Sequence, residues 1–430
     1  MLTKHDVVGW RCRVCGTDVE LADPTPWRCP RSTRTDRHHV LQALEYVDDS
    51  LAGSSDGHPF ADHDRRFAWA AAAAAHGMTD VARRALVLEL DDAVRDVDGT
   101  GFVVTPFHRS SVLSDELGFD VAGGVWVKDE TAGVGGSQKA RHLFTILLHL
   151  RAMELVGQLP ERPRLAIASC GNAALAAATL ARAARWPIDV YVPTWMDDAF
   201  GDRLDELGAV TCRSERRAED PPGDPAMLRF REAVDRGAVP FTVQGPENAL
   251  CLDGGRTIGW EIAAQMQRSD GPGRLDAVFV QVGGGAFAAA LGAGLQRDAG
   301  AVPIVAVQTE GCAPLDRALR RARSVADPAN DWARIMTAWE DPSSLADGIL
   351  DDETYDWLGV LDVIESSNGS SVVAAEQNVV AAHDLARRAG FNVSPTGSAG
   401  LAGLLELDGG RGPHFDSSAN VAVLMSGVAR

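Results

Sequence analysis

Seven short, continuous apolar runs constrain this chain most strongly. They cover residues 125–128, 165–168, 188–192, 239–243, 277–282, 304–307 and 421–424, and β-branched residues are frequent in them. A strand that is apolar at every position is buried on both faces, which is typical of parallel sheets. Between the runs, helical patterns extend over 172–184, 254–267, 286–297 and 371–389, and an Ala-rich stretch over 66–90 predicts one or two more helices. The alternation predicts an α/β protein with mainly parallel sheets.

The run at 165–168 leads into a short turn that opens a predicted helix: Ser169-Cys170-Gly171-Asn172. In open α/β sheets, ligands bind at the carboxyl ends of strands, where helix N-termini offer unpaired N–H groups to anions. The turn therefore predicts a carboxylate site. Asn172 adds an amide that both donates and accepts hydrogen bonds. The structural alternative for Asn172 is an N-cap.

A second turn follows the run at 277–282 and opens another predicted helix: Gly283-Gly284-Gly285-Ala286-Phe287. Consecutive glycines let backbone N–H groups converge on a phosphate, and the helix dipole favours the anion. The turn is neither GxGxxG nor a P-loop, and no acidic residue closes a following strand for ribose recognition, which argues against a dinucleotide. The predicted ligand is a phosphate monoester.

Lys139 is one of only three lysines in 430 residues, the others being Lys4 and Lys128. It follows the glycine-rich segment 135–138 at the start of a predicted helix. Desolvation in such a site lowers a lysine pKa and yields the free amine that a Schiff base needs. Lys4 lies near the terminus, and Lys128 lies in a strand where we expect a carboxylate to hold it. The structural alternative for Lys139 is a lysine that faces water.

The last predicted strand ends at Met425-Ser426-Gly427. A hydroxyl at that strand end is a neutral donor for a heteroaromatic nitrogen. Without the other motifs, Ser426 would be interpreted as an exposed serine.

Two motifs near the start have the spacing of a zinc ribbon: Cys12-Arg13-Val14-Cys15 and Cys29-Pro30-Arg31-Ser32. Two such turns offer four thiolates in a tetrahedron, but serine at the fourth position is a poor zinc ligand. Either His38 or His39 completes the site, or the metal has been lost and the hairpin kept. Cys12, Cys15 and Cys29 are therefore candidate ligands of a structural zinc.

Composition excludes several classes of partner. The net charge of -19 repels nucleic acid phosphates and anionic membranes. No apolar run reaches the roughly 18 residues of a membrane span, and the start lacks the pattern of a secretion signal. Seven scattered cysteines do not form a disulfide framework. We expect a cytoplasmic protein that binds neither nucleic acid nor membrane.

Together these motifs resemble the tryptophan-synthase-β-like superfamily of pyridoxal-phosphate enzymes, called fold type II, over roughly residues 105–427. The similarity is greatest to threonine synthases and serine/threonine dehydratases, and segment 252–262 is similar to threonine synthases. The family's K-x-E motif corresponds to Lys128-Asp129-Glu130, and its S-F-K motif corresponds to Ser137-Gln138-Lys139. Its S-S-G-N motif corresponds to Ser169-Cys170-Gly171-Asn172. Its glycine loop corresponds to Gly283-Gly284-Gly285-Ala286-Phe287, and its terminal T/S-G corresponds to Ser426-Gly427.

The resemblance implies a fold, a cofactor and a set of site residues. It implies two doubly wound lobes, a homodimer, and pyridoxal 5'-phosphate held by catalytic Lys139 as an internal aldimine. The implied cofactor site consists of Lys139, Asn172, Gly283, Gly284, Gly285, Ala286, Phe287 and Ser426. The implied contacts to an amino-acid substrate come from Ser137, Ser169, Cys170, Gly171 and Asn172.

The expected organisation has four parts. Residues 1–40 form a zinc-ribbon-like extension, and 41–100 form a linker and helical segment. Residues 101–145 and 245–430 form the large cofactor-binding lobe, and 146–244 form a small α/β lobe.

Three residues depart from the family pattern and indicate an unusual substrate: Gln138, Ala140 and Cys170. A neutral Ser426 beside the pyridine nitrogen weakens the electron sink and favours early loss of a leaving group. We therefore expect a lyase that eliminates ammonia from a hydroxy or other β-substituted amino acid. Two alternatives stay open: a threonine-synthase-like replacement enzyme, and a protein that binds cofactor or amino acid without turnover. The missing dinucleotide fingerprint opposes a nicotinamide oxidoreductase.

Overall fold

The computed structural model describes residues 5–46, 57–221, 223–407 and 415–430. The prediction for Lys4, and part of the linker predicted at 41–100, fall outside these ranges. The N-terminal extension is a three-stranded antiparallel sheet of β1 (Val7–Cys12), β2 (Asp18–Val19) and β3 (Leu41–Glu45), with β1 in the centre. Two helices follow it, α1 (Ala68–Ala75) and α2 (Asp80–Asp98).

Strands and helices alternate through the rest of the chain. In order they are β4 (Phe107–Ser110), α3 (Ser111–Glu116), β5 (Gly124–Asp129), α4 (Lys139–Leu155), β6 (Leu165–Ala168), α5 (Asn172–Ala184), β7 (Ile188–Pro193), α6 (Asp198–Glu206), β8 (Val210–Ser214), α7 (Pro225–Asp235), β9 (Val239–Pro240), α8 (Leu250–Met266), β10 (Ala277–Gln281), α9 (Ala286–Ala299), β11 (Ile304–Thr309), α10 (Pro314–Ala322), α11 (Trp332–Ile335), α12 (Trp357–Ser367), β12 (Ser370–Ala374), α13 (Glu376–Arg388), α14 (Pro395–Glu406) and β13 (Asn420–Met425).

Two sheets carry the fold. The larger has the order β12-β11-β10-β13-β5-β4 and is parallel except for β4, which pairs antiparallel with β5 at the edge. The smaller has the order β8-β7-β6-β9 and is wholly parallel. The central strands β10 and β13 are buried at nearly every position, because helices cover both faces. The predicted α/β class with mainly parallel sheets is confirmed.

Some predicted elements differ from the structure. The helix expected over 371–389 begins later, at Glu376, because residues Ser370–Ala374 pair with β11 as the edge strand β12. The strand expected over 239–243 is reduced to Val239–Pro240. Phe241 N–H still donates to the carbonyl of Ala166 at 2.8 Å, and bends and turns follow it.

The chain crosses between the two sheets so that several turns meet. The turn before α4 and the end of β13 belong to the large sheet, and the turn between β6 and α5 belongs to the small one. In the part of the chain that the structure describes, no helix is long and apolar enough to cross a bilayer.

Candidate active site

The turn before Lys139 is joined to the end of β13. Gln138 N–H donates to the carbonyl of Ser426 at 3.1 Å, and Ser137 forms an isolated antiparallel bridge with Gly427. Backbone contacts therefore hold the segment that carries Lys139 beside the segment that carries Ser426. These segments are nearly 290 residues apart in sequence, so only the fold brings them together.

Lys139 is the first residue of α4. Burial lowers its pKa, and the smaller electrostatic effects of Asp351 and Cys251 raise it. Lys139 therefore loses its proton more easily than a solvated lysine does. This is the environment that the sequence predicts for a Schiff-base lysine.

Asn172 begins α5 and lies against Gly427. A Cβ added at Gly427 would be 2.7 Å from Asn172 Nδ2, so a glycine is needed for this close approach. Arg430 Nε donates to Asn172 Oδ1 at 3.0 Å. Because a guanidinium only donates, this bond fixes which end of the amide faces Arg430. The contacts bring Asn172 to the same place as the Ser426–Gly427 strand end.

Ser426 is buried and accepts a hydrogen bond from Gln281. Gln281 Nε2 lies 2.6 Å from Ser426 Oγ and 2.7 Å from the carbonyl of Gly397. A carbonyl only accepts, so Nε2 is the donor in this pair and Ser426 Oγ is an acceptor. The hydroxyl hydrogen of Ser426 is left to donate to another group.

The glycine turn joins β10 to α9. Gly285 has φ +94°, and a Cβ added there would be 2.8 Å from Thr354 Cγ2. A Cβ on Gly283 would overlap the carboxylate of Asp351. Phe287, in the first turn of α9, is buried edge-on to His142 with 6.4 Å between ring centroids. The turn thus combines a glycine backbone, closely packed against residues 351–356, with the helix N-terminus of an anion site.

Asp351 is an acidic group beside the glycine turn. Burial raises the pKa of its carboxyl to about 6, and Lys139 lowers it only in part. The carboxylate faces the glycine turn. Above about pH 6 it is charged and repels an anion bound at the turn.

The turn before α5 faces open space. Gly171 N–H donates to Ser169 Oγ at 3.3 Å, and a Cβ on Gly171 would meet nothing within 4 Å. The side chain of Cys170 is exposed, and its pKa is raised by partial desolvation and further by nearby acids, which are Asp224, Asp347 and Asp351. The predicted carboxylate site thus lies beside an acidic rim.

Two polar atoms near Lys139 are buried without a hydrogen-bond partner among the described residues. They are Ser137 Oγ and Gln138 Oε1. Buried polar groups are normally paired, so these two atoms are candidate contacts for a ligand.

Lys128 is held by carboxylates, as its sequence position predicts. Its Nζ lies 2.5 Å from Glu261 Oε2, and Arg141 bridges Glu261 and Glu130 at 2.6 and 2.8 Å. All of these side chains are buried. The network fixes the first turn of α4, and it removes Lys128 as a candidate for the Schiff base.

The N-terminal cysteines converge with one histidine. The ligand atoms of Cys12, Cys15, Cys29 and His39 all lie within 4.8 Å of one another. Cys12 Sγ is 3.3 Å from His39 Nδ1, and Cys15 Sγ is 3.6 Å from Cys29 Sγ. Three thiolates and an imidazole are a zinc donor set.

The sequence left His38 and His39 as alternatives for the fourth ligand. The structure places His39 with the cysteines and His38 against Glu353, 3.5 Å from its carboxylate. The Nε2 atom of His39 is 3.1 Å from Asp36 Oδ2. A carboxylate on the far nitrogen orients a metal-binding imidazole.

Sequence analysis missed three residues of the site: Gln281, Asp351 and Arg430. Gln281 had a signal, because it is a polar residue at the end of an apolar strand. Asp351 and Arg430 had none, since each reaches the site only through contacts made across the fold.

A family model described as "Pyridoxal-phosphate dependent enzyme" matches residues 100–427. The chain belongs to this family. Among curated relatives of this pyridoxal-phosphate enzyme, an L-serine dehydratase of Saccharomyces cerevisiae is 29% identical over 204 residues, which is 46% of this chain and 60% of the relative. The mitochondrial threonine dehydratase of the same species is 24% identical over 285 residues, 64% of this chain and 45% of the relative. The chain thus spans about 60% or less of these two relatives.

Solved structures share the fold. Maize serine racemase has a TM-score of 0.61 at 16% identity, covering 80% of this chain and 93% of that one. Threonine deaminase isoform 2 from Solanum lycopersicum has a TM-score of 0.61 at 20% identity, covering 83% and 92%. At this identity the likeness concerns architecture, and it confirms the expected fold type.

The residues present fit the family's cofactor. The glycine turn offers N–H groups to a phosphate, Lys139 offers a desolvated amine, and the Ser426 hydroxyl retains a hydrogen to donate. The unpaired Ser137 Oγ adds a polar group without a protein partner. One feature opposes the fit, which is the negative charge of Asp351 beside the glycine turn.

Proposed function

We propose that this chain is a pyridoxal-phosphate-dependent ammonia-lyase that eliminates the β-substituent from a hydroxy or other β-substituted amino acid. The products are a keto acid and ammonia. The observation that carries the proposal is that Lys139, the glycine turn and Ser426 lie close together. Gln138 N–H donates to the carbonyl of Ser426, and Asp351 lies beside the glycine turn and acts on the pKa of Lys139. The serine and threonine dehydratase relatives support the same reaction class.

Pyridoxal phosphate, when bound, supplies the electron sink that stabilises a carbanion at the α-carbon. Lys139 Nζ supplies two functions of the protein in this reaction. Its free amine would hold the cofactor covalently, and the same amine would accept the α-proton of the substrate. Burial, which lowers its pKa, favours the unprotonated amine that both functions need.

The turn from Ser169 to Asn172 binds the substrate carboxylate in this proposal. The N-terminus of α5 offers unpaired N–H groups, and Ser169 offers a hydroxyl. Ser137 Oγ, which is buried and unpaired, is a second donor for the substrate. These contacts orient the α-proton toward Lys139.

Ser426 favours elimination over transamination. Its hydroxyl is neutral and its oxygen already accepts from Gln281, so Ser426 would offer the bound cofactor a hydrogen bond that carries no charge. A cofactor held by a neutral donor would withdraw electrons weakly, which would favour expulsion of the leaving group.

The threonine-synthase-like alternative is less well supported. A phosphorylated substrate needs a second anion site, yet the groups around Cys170 are Asp224, Asp347 and Asp351. Like charges near a phosphate raise the free energy of binding. An unphosphorylated substrate is the better match.

A substrate panel tests the function. Purified protein with cofactor is incubated with serine, threonine and other β-substituted amino acids, and ammonia and keto acid are measured. Elimination predicts equal amounts of the two. A replacement product from phosphohomoserine would support the alternative, and cofactor binding without any turnover would support a binding protein.

We propose a structural zinc at Cys12, Cys15, Cys29 and His39. The four donor atoms are already gathered, and zinc bound by three thiolates and one imidazole leaves no open coordination position for catalysis. Metal analysis should find about one zinc per chain.

The remaining proposals concern location and assembly. Seven free cysteines, all within the described ranges, support a reducing, cytoplasmic environment. The family resemblance supports a homodimer, which sedimentation of the purified protein tests.

A further inference from the structure

We infer that the N-terminal metal module holds the segment that covers the glycine turn, and so controls cofactor affinity. The module is residues 5–46, and the cover segment is residues 351–356. The inference rests on the cofactor and zinc sites proposed above. It assigns the module a role in cofactor retention, beyond its own stability.

The cover segment packs directly on the glycine turn. Asp356 N–H donates to the carbonyl of Gly284 at 2.8 Å. Cβ atoms added to the turn would be 3.2 Å from Tyr355 at Gly284 and 2.8 Å from Thr354 at Gly285. The backbone path of the phosphate site therefore depends on where the cover segment lies.

The module contacts the cover segment at Glu353, near its centre. Arg37 Nη2 is 2.5 Å from Glu353 Oε2, and His38 Nε2 is 3.5 Å from the same oxygen. The side chain of Glu353 is only 11% exposed. The side chain of Arg37 is 32% exposed, so water screens this pair only in part, and the contact is stronger than a fully exposed ion pair.

The same short stretch carries the metal ligand. Residues 36–39 contain Asp36, Arg37, His38 and His39. His39 lies in the thiol cluster, and Asp36, which contacts its far nitrogen, accepts from Trp332 Nε1 at 2.8 Å. His38 stacks on Trp332 with 4.3 Å between ring centroids. A metal on His39 fixes the position of residues 36–39. From this stretch, Arg37 and His38 contact Glu353 of the cover segment.

The test measures pyridoxal-phosphate affinity of the full-length apoprotein by absorbance and fluorescence titration. Arg37→Ala removes the contact to Glu353 and leaves every metal ligand in place. We expect about one zinc per chain and a dissociation constant raised about fivefold. Zinc removal by a chelator should raise it at least as much in wild-type protein. Adding Glu353→Gln to Arg37→Ala should raise the dissociation constant by a smaller factor than Glu353→Gln does in wild-type protein, because Arg37 and Glu353 act as a pair.

Arg34→Ala is the matched control. Arg34 lies on the same module and pairs with Asp235 at 3.0 Å, but its side chain is 79% exposed. Its removal should leave cofactor affinity unchanged. The inference is overturned if Arg37→Ala, folded by circular dichroism, binds the cofactor as wild type does, or if zinc-free protein does. Neither measurement uses a substrate, so failure of the proposed lyase activity would be seen separately.

Discussion

The amine of Lys139 lies where burial and charge act in opposite directions. Burial lowers its pKa, and Asp351 raises it by a smaller amount. Lys139→Ala removes both the nucleophile and the proton acceptor, so we expect turnover to fall by at least about a thousandfold. In wild type, borohydride reduction and mass spectrometry should place the pyridoxyl adduct on Lys139. An adduct on Lys128 or Lys4 would refute the assignment.

Ser426 tests the reaction type. Ser426→Ala loses one neutral hydrogen bond, which is worth about 1 kcal/mol, so activity should fall modestly. Ser426→Asp places a carboxylate at the ring nitrogen and favours its protonation. We expect a changed absorption spectrum, slower elimination and more transamination. Unchanged spectrum and product ratio in the aspartate variant would mean that Ser426 does not face the ring.

Asp351 sets a pH dependence of cofactor binding. Burial raises its pKa to about 6, so the carboxyl gains charge as pH rises through 6 and then opposes a phosphate in the glycine turn. Asp351→Asn should bind pyridoxal phosphate several-fold more tightly at pH 8 and about equally at pH 5. The phosphate itself titrates near pH 6, but this affects both proteins. The ratio of the two dissociation constants therefore isolates Asp351; a ratio that is constant with pH would contradict the prediction.

At the scale of elements, local patterns predicted most of the α/β framework. The glycine turn and the start of α4 were found because glycine runs, apolar strands and helix starts are adjacent in sequence. The sequence pattern predicts a helix from residue 371 onward, since the helical spacing of α13 continues back to that residue. Pairing with β11 decides otherwise, and that contact spans more than sixty residues.

The candidate site was predictable only where its residues belong to such local motifs. Lys139, Asn172 and Ser426 end or begin elements, and their residue types break the surrounding pattern. Arg37 and Glu353 are separated by 316 residues. Neither has an unusual neighbourhood in sequence, so their contact could be seen only in the folded chain.

At the scale of the whole molecule, buried carboxyls make the stability of the fold depend on pH. Asp356 is 1% exposed and accepts from Gly245 N–H at 3.0 Å. Burial raises its pKa to about 7, and the Gly245 bond only partly opposes this. Burial also raises the pKa of Asp253 to about 6. The folded protein therefore binds protons at these sites more tightly than the unfolded chain does.

The sign of the resulting pH dependence follows by linkage. A carboxyl whose folded pKa is raised contributes stability that is complete below its unfolded pKa, near 4, and is lost as pH rises through the folded value. Asp356 alone should cost about 2 to 4 kcal/mol of unfolding free energy between pH 4 and pH 8. Asp356→Asn removes this loss. In urea unfolding of cofactor-free protein, the unfolding free energy of the variant should therefore increase relative to that of wild type as pH increases from 5 to 8. Asp270→Asn, at an exposed position, is the control and should follow wild type throughout. A constant difference between Asp356→Asn and wild type across this range would show that Asp356 does not titrate there.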